Sequence, residues 1–419
     1  MAFVVILIVG RLSQKYIESN YDGERAPYLQ MLGKDRALIK WQTVKSTKTQ
    51  VQYGESANNL DKSVKFDQQS KQHEVSLIGL KPNTKYWYQI ANKLYSFTTA
   101  PATDKELLFW VLGDPGRATK ALLNNKRNIL NRLDKRQLDL MLTTGDNAYT
   151  SGTNQQYQDA LFNVFGDMLS SVNYWPGYGN HDARRWAFYD IFVFPENAEL
   201  GGVASQTEEY FSFDYGNTHL IFLNSEYGPL TPAQHMVDWL KEDLKINRKK
   251  WTIVIFHSPP YSKGSHDSDS WRDSLGRMVF MREQILPILE QHDVDLVMNG
   301  HSHAYERSHL LHCHYGKSIT FNKNMVLDSD GNYEKNNAKT KLGGTIYLII
   351  GSSSKVDLGR FDHPAMPIAI AQTGSVLLQI NSNQLTASFI NQQGLVLDSF
   401  NIIKNQKVRA SNSSCDYLN

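Results

Sequence analysis

Leu107-Leu-Phe-Trp-Val-Leu-Gly-Asp-Pro-Gly116 decides the fold, and Leu138-Asp-Leu-Met-Leu-Thr-Thr-Gly-Asp-Asn-Ala-Tyr149 repeats its grammar. Each is a short apolar run that stops at a glycine followed by an aspartate. An apolar run with little alternation suits a strand buried on both faces, the situation of a largely parallel sheet covered by helices. Between the two runs, residues 118–137 carry Leu122, Leu123, Ile129, Leu130 and Leu133 at spacings that predict a helix, with these side chains on or near one face. The alternation continues. A helix containing residues 238–244 precedes a strand at 251–256, and a helix over 279–291 that carries Pro287 precedes a strand at 294–298. Further strands at 345–350, 375–380, 385–390 and 395–402 complete sheets, so residues 104–405 read as one α/β domain.

Upstream, residues 25–100 switch to period two. Ala37, Ile39 and Trp41 alternate with Leu38, Lys40 and Gln42, and Tyr86, Tyr88 and Ile90 alternate with Trp87 and Gln89. Leu80-Lys-Pro-Asn-Thr-Lys-Tyr86 sets a turn before a strand whose tyrosine can form a corner. This all-β segment resembles a fibronectin type III module. Residues 1–24 contain an apolar stretch at 2–10, too short for the roughly 20 residues of a membrane span, which reads either as a signal remnant or as a buried first strand. Residues 406–419 form a tail with a glycosylation sequon at Asn412. Cys313 and Cys415 either pair in an oxidising compartment or remain two buried thiols.

Composition narrows the chemistry. Of 419 residues, 41% are hydrophobic and 21% charged, which excludes disorder and coiled coil as overall classes. A net charge of +2 argues against a whole-molecule grip on nucleic acid. With only two cysteines, any metal must be held by His, Asp, Asn or Tyr, and the 13 histidines become the residues to place.

Five turns, each at the end of a predicted strand, carry such groups: Asp114, then Asp146 with Tyr149, then Asn180 with His181, then His257, then His301 with His303. Ligands in α/β sheets bind beyond the carboxyl ends of strands, so these turns can converge on one crevice. Hard oxygen and imidazole donors without thiolate suit a pair of divalent or trivalent metals, the usual clamp for phosphoryl hydrolysis. Other candidates are weaker. His309, His312, Cys313 and His314 look like a cluster, but strand alternation separates Cys313 from its neighbours. His219 and His235 read as surface or capping residues, and Arg184, Arg185 and Lys263 as crevice cations or solvated charge.

Together these blocks, with the run Gly300-His-Ser-His-Ala-Tyr-Glu-Arg307, resemble the metallophosphoesterase pattern and, in detail, a purple acid phosphatase. Gly116 stands where most of the superfamily carries a histidine, and Tyr149 takes over as ligand. The resemblance implies an α/β/β/α catalytic domain behind a fibronectin-like amino-terminal one. It also implies a binuclear centre in which Asp114, Tyr149 and His303 bind Fe(III), Asp146 bridges, and Asn180, His257 and His301 bind Zn, Mn or Fe in the divalent state. A metal-bound hydroxide would then hydrolyse phosphomonoesters. Asn180, His181 and His266 would contact the substrate, with His181 or His266 protonating the leaving group. The family often has two adjacent histidines where this chain has His266-Asp267. The expected partner is a small phosphate ester, with no nucleic acid and no stable membrane insertion, and the expected location is secreted, periplasmic or cell-surface. Alternative readings are a phosphodiesterase or nucleotide hydrolase with the same centre, and an extracellular binding protein whose site is inactive.

Overall fold

A computed structural model describes residues 21–134, 136–229, 233–336, 343–405 and residue 415. The apolar segment at 2–10 and the sequon at Asn412 lie outside the described residues.

The amino-terminal unit is all β. Its long strand Arg36–Gly54 pairs in its first half with Arg25–Gln30 on one side and Lys62–Ile78 on the other. Past an irregularity between Gln42 and Thr47 it stays with Lys62–Ile78 and gains Lys85–Ile90, which pairs with Lys93–Thr98. One strand thus serves two half-sheets, and its inward residues Ala37, Ile39, Trp41, Val51 and Tyr53 share a core with Val75, Tyr86, Tyr88 and Phe97. The predicted corner is present: the Lys81 backbone N–H donates to the Tyr86 hydroxyl at 3.0 Å. Polar anchors tie this unit to the rest. Tyr28 and Tyr88 donate to the carbonyls of Ile191 (2.9 Å) and Ser170 (2.8 Å), and the buried Arg25 donates to Asn154 Oδ1 at 2.8 Å.

Beyond residue 104 two seven-stranded sheets pack face to face. One runs, from edge to edge in hydrogen-bonded order, Phe211–Tyr215, Thr218–Phe222, Trp251–Ile255, Leu296–Asn299, Ile346–Ile349, Tyr305–Arg307, Ile368–Ile370. The other places Asn173–Trp175, Leu140–Thr143 and Leu107–Leu112 beside Gly374–Ile380, Gln384–Asn391, Val396–Asn405 and Asn332–Asn336. Pleating explains the unbroken apolar runs. In Trp251–Ile255, Trp251, Ile253 and Ile255 face the core between the sheets, while Val254 packs outward with Met236 and Leu240 of the helix Gln234–Ile246. The helix Lys120–Leu133 covers the other sheet, giving the α/β/β/α layering. Arg307, the last residue of the glycine-histidine block, locks the two sheets together: its Nε and Nη2 reach Asp398 at 2.7 and 2.9 Å.

Several details differ from the pattern reading. In the helix Lys120–Leu133 the buried stripe is Leu122, Asn125, Ile129 and Leu133; Leu123 and Leu130 are exposed. Those two residues are seven apart, on a stripe about 100° around the helix, and the core position goes to Asn125, whose amide donates to the Ser353 carbonyl at 3.0 Å. His219 is a buried residue between two carboxylates, Asp214 (2.8 Å) and Asp243 (2.7 Å), where a surface role was expected. Cys313 forms a disulfide with Cys415, so it belongs to no histidine-cysteine metal cluster. No helix among the described residues is long and apolar enough to cross a membrane.

Candidate metal centre

All five predicted turns meet at one rim. Leu107–Leu112, Leu140–Thr143 and Asn173–Trp175 deliver Asp114, Asp146 with Tyr149, and Asn180 from one sheet; Trp251–Ile255 and Leu296–Asn299 deliver His257 and His301 with His303 from the other. The parallel neighbours of each sheet end level, which is why turns distant in sequence become adjacent. Asp114, Asp146 and His301 all take left-handed backbone angles, φ 52°, 54° and 68°. Non-glycine residues rarely sit there, and three of them at one rim mark backbone bent to aim side chains inward. Gly145, with φ 108°, leaves no room for a side chain: a Cβ would lie 2.6 Å from His257 Nδ1.

Donor atoms of Asp114, Asp146 and His257 lie within 4.8 Å of one another. On one side Tyr149 Oη is 3.0 Å from Asp114 Oδ2 and 3.1 Å from His303 Nε2, and His303 Nε2 is 3.2 Å from Asp114 Oδ2. On the other side Asn180 Oδ1 is 3.1 Å from His257 Nε2 and 3.0 Å from His301 Nδ1. Asp146 lies between: its Oδ2 is 3.5 Å from His257 Nε2, and its Oδ1 accepts from the His181 backbone N–H at 2.8 Å.

The tautomers test whether cations fit. His257 Nδ1 faces the Thr144 carbonyl at 2.9 Å, so it carries the proton, and the Nε2 lone pair of a neutral ring then faces the acceptors Asn180 Oδ1 and Asp146 Oδ2. His303 repeats the arrangement, with Nδ1 on Asp357 Oδ2 at 2.6 Å and Nε2 toward Asp114. His301 turns Nε2 to the Ser274 hydroxyl at 2.6 Å and Nδ1 to Asn180 Oδ1. Lone pairs aimed at oxygen acceptors repel unless a proton or a metal ion lies between them, so the donor set fits metal ions.

Electrostatics agree. Burial would lower the His257 pKa, yet Asp146 and Asp114 raise it to about 10, the mark of a ring that must gain a positive charge beside two carboxylates. Burial would raise Asp146, but His257 and then His181 hold it well below the usual carboxylate range. Burial, with Asp114 and Asp146, pushes the Tyr149 phenol far up, so only a strong cation would make it a phenolate. His301 is driven well below the ordinary imidazole value by burial and by His266 and His257.

His181 packs edge-on against Tyr149, ring centroids 4.4 Å apart, with Nδ1 on the Thr150 carbonyl at 2.6 Å and Nε2 3.8 Å from Asp146 Oδ2. Burial lowers its pKa against the pull of Asp146. His266 stacks on His301 at 3.8 Å, its Nδ1 held by Asp273 Oδ1 at 2.8 Å. Asp267, where a second histidine was expected from the resemblance, takes Lys263 and Arg360 as partners. Lys263 is itself buried between Asp267 and Asp269 and is no free crevice cation.

Four supporting residues escaped the sequence reading. Asp357 orients His303, while Ser274 and Asp273 hold His301 and His266 from a turn in which Ser274 and Leu275 are left-handed at φ 54° and 53°. Asp182 is buried and accepts from the backbone N–H groups of Asn147 (3.1 Å) and Gly179 (3.0 Å) and from Tyr157, clamping two ligand turns together. Burial, with Asp146, raises its pKa to about 7. The departure from strand-end grammar hid these residues; only the Asp directly after His181 carried a signal.

Two sheets joined at a rim of carboxylates and imidazoles define a metallophosphoesterase. The calcineurin-like phosphoesterase model matches residues 107–305, and the purple acid phosphatase amino-terminal domain model matches residues 26–101. In both its domains the chain is similar to the purple acid phosphatases. It is 29% identical over 300 residues to purple acid phosphatase 21 of Arabidopsis thaliana, covering 67% of this chain and 65% of that one. It is 28% identical over 302 residues to a phosphoenolpyruvate phosphatase of Allium cepa, covering 65% and 60%. The fold matches the yellow lupin purple acid phosphatase PPD1 with a TM-score of 0.69 at 21% identity, over 91% of this chain and 75% of that one.

Proposed function

We propose that this chain hydrolyses phosphomonoesters to an alcohol and inorganic phosphate with a binuclear Fe(III)–M(II) centre, M being Zn, Mn or Fe. The observation that carries the reading is the convergence of three imidazole lone pairs on the oxygens of Asp114, Asp146 and Asn180. Asp114, Tyr149 and His303 would hold the trivalent iron, Asn180, His257 and His301 the divalent ion, and Asp146 both. When bound, such a pair supplies an activated water and neutralises charge on the transferring phosphoryl group.

The protein's own side chains do the rest. Asn180 and His266 would orient the phosphate at the rim. His181 is the better proton donor to the leaving alkoxide, because the Thr150 carbonyl fixes Nδ1 and leaves Nε2 on the side of Asp146. His266, braced by Asp273, is the second candidate. The disulfide supports a location outside the reducing cytosol, secreted, periplasmic or at the cell surface. The test is turnover of paired phenyl phosphate and diphenyl phosphate by the metal-loaded protein. Faster monoester hydrolysis is expected; diester-only turnover would move the assignment to a phosphodiesterase, and no turnover from acid to alkaline pH would leave a binding protein.

A further inference from the structure

One side of the rim is cationic in a way that the metal ligands do not require. Arg117 follows the first ligand turn, and its guanidinium lies over the Tyr149 ring, 4.8 Å from the centroid. Lys355 Nζ lies 5.7 Å from the same centroid and 2.9 Å from Asp357. Arg184 donates from Nη1 to the Thr150 carbonyl at 3.0 Å, the oxygen that also holds His181 Nδ1. Arg117 and Arg184 are exposed, and neither has a carboxylate partner among the described residues. Of the acids near this group, Asp357 is shared between His303 and Lys355, Asp114 and Asp146 face Tyr149 and His181 from the ligand side, and Glu226 lies within electrostatic reach of Arg184.

Three cations therefore surround the Tyr149–His181 pair, one aromatic ring's width outside the proposed ligands. A cation that served the reacting phosphate would be expected among the ligand oxygens. These instead sit over the Tyr149 ring and at the Thr150 carbonyl, to one side of the proposed ligand oxygens. Arg117 is anchored by its aromatic platform and Arg184 by a backbone carbonyl, so neither is held by a carboxylate hydrogen bond among the described residues.

We propose that Arg117, Lys355 and Arg184 form a second, anion-reading subsite, so that the substrates are phosphomonoesters whose alcohol part bears a further carboxylate or phosphate. This rests on the phosphatase reading of the centre. A unit charge about 5 Å from a cation in water gains about fourfold in binding per cation, less as salt rises.

The experiment compares phenyl phosphate with 3-carboxyphenyl phosphate, esters of phenols of similar acidity, on the metal-loaded full chain. Calorimetric binding of the matching non-hydrolysable phosphonates runs beside it. The carboxylated compound should win by about 10-fold at low ionic strength in both kcat/KM and affinity, with the preference shrinking in salt. In Arg117→Gln and Arg184→Gln the preference should fall by about fourfold each. Equal affinity for the two phosphonates would overturn the subsite, as would an Arg117→Gln loss that is the same for both, because the guanidinium would then serve the reacting phosphate. Failure of turnover with a retained binding preference would overturn the phosphatase reading and leave the subsite standing.

Discussion

Replacing Gly116 by alanine should damage the centre without touching a ligand. Gly116 stands where the resemblance places the histidine that most metallophosphoesterases carry, and the structure explains why no side chain can stand there. A Cβ would lie 2.6 Å from Ala148 N and from the Asp146 carbonyl oxygen, and 2.8 Å from Asn147 C. All three are backbone atoms of the turn that carries Asp146 and Tyr149, so no rotamer change can relieve the contact. The turn must move, and it is held by Gly116 N–H on the Asp146 carbonyl (3.0 Å) and Tyr149 N–H on the Gly116 carbonyl (2.9 Å). Overpacking of this kind costs about 1–3 kcal/mol, and each lost hydrogen bond about 0.5–1.5 kcal/mol more. The sum, about 2–6 kcal/mol, corresponds to a drop in Tm of roughly 3–10 °C for a domain of this size. Calorimetry of the metal-free protein reads the first effect. Iron content per chain, read in parallel, should fall because Tyr149 shifts with the turn. A Gly116→Ala protein with wild-type Tm and full iron would refute the argument that tight packing at this glycine is what lets Tyr149 replace the missing histidine.

Removing the brace on His303 in Asp357→Ala should weaken metal retention by about 10–100-fold in competition with a chelator, and Asp357→Asn, which keeps an acceptor, should lose less. Substituting His181 by alanine should lower kcat by about 10²-fold with unchanged metal content, and a similar loss only in His266→Ala would transfer the proton-donor role. His219 offers a pH test away from the centre. Burial lowers its pKa, but Asp214 and Asp243 outweigh that and raise it above the ordinary value, so its stabilisation is complete below about pH 6.5 and fades as pH rises through the folded-state value. Urea midpoints should therefore show the gap between wild type and His219→Asn closing from pH 6 to pH 9.

The proposed ligands are legible in sequence because a strand end followed by a polar residue recurs five times, four of them with a glycine directly before that residue, and strand ends in parallel sheets are level. That logic brings Asp114, Asp146, Asn180, His257 and His301 to one rim. It could not find Asp357 or Ser274, since each reaches its histidine from a turn with no strand-end signature. Nor could it predict that Lys263 is consumed by Asp267 and Asp269, or that His219 is buried, because a hairpin residue's exposure depends on what packs over it, here Asp243 of a helix remote in sequence. Helical periodicity found the helix Lys120–Leu133 but misjudged part of its face, because Asn125 takes a core position with its amide N–H donated to the Ser353 carbonyl.

The proposed Fe(III)–M(II) centre held by a tyrosinate is tested most directly by the visible spectrum of the purified protein, taken with its metal content. Iron plus a second metal and a charge-transfer band that vanishes in Tyr149→Phe is the predicted result. A colourless di-manganese or di-zinc protein that keeps full activity in Tyr149→Phe would contradict it.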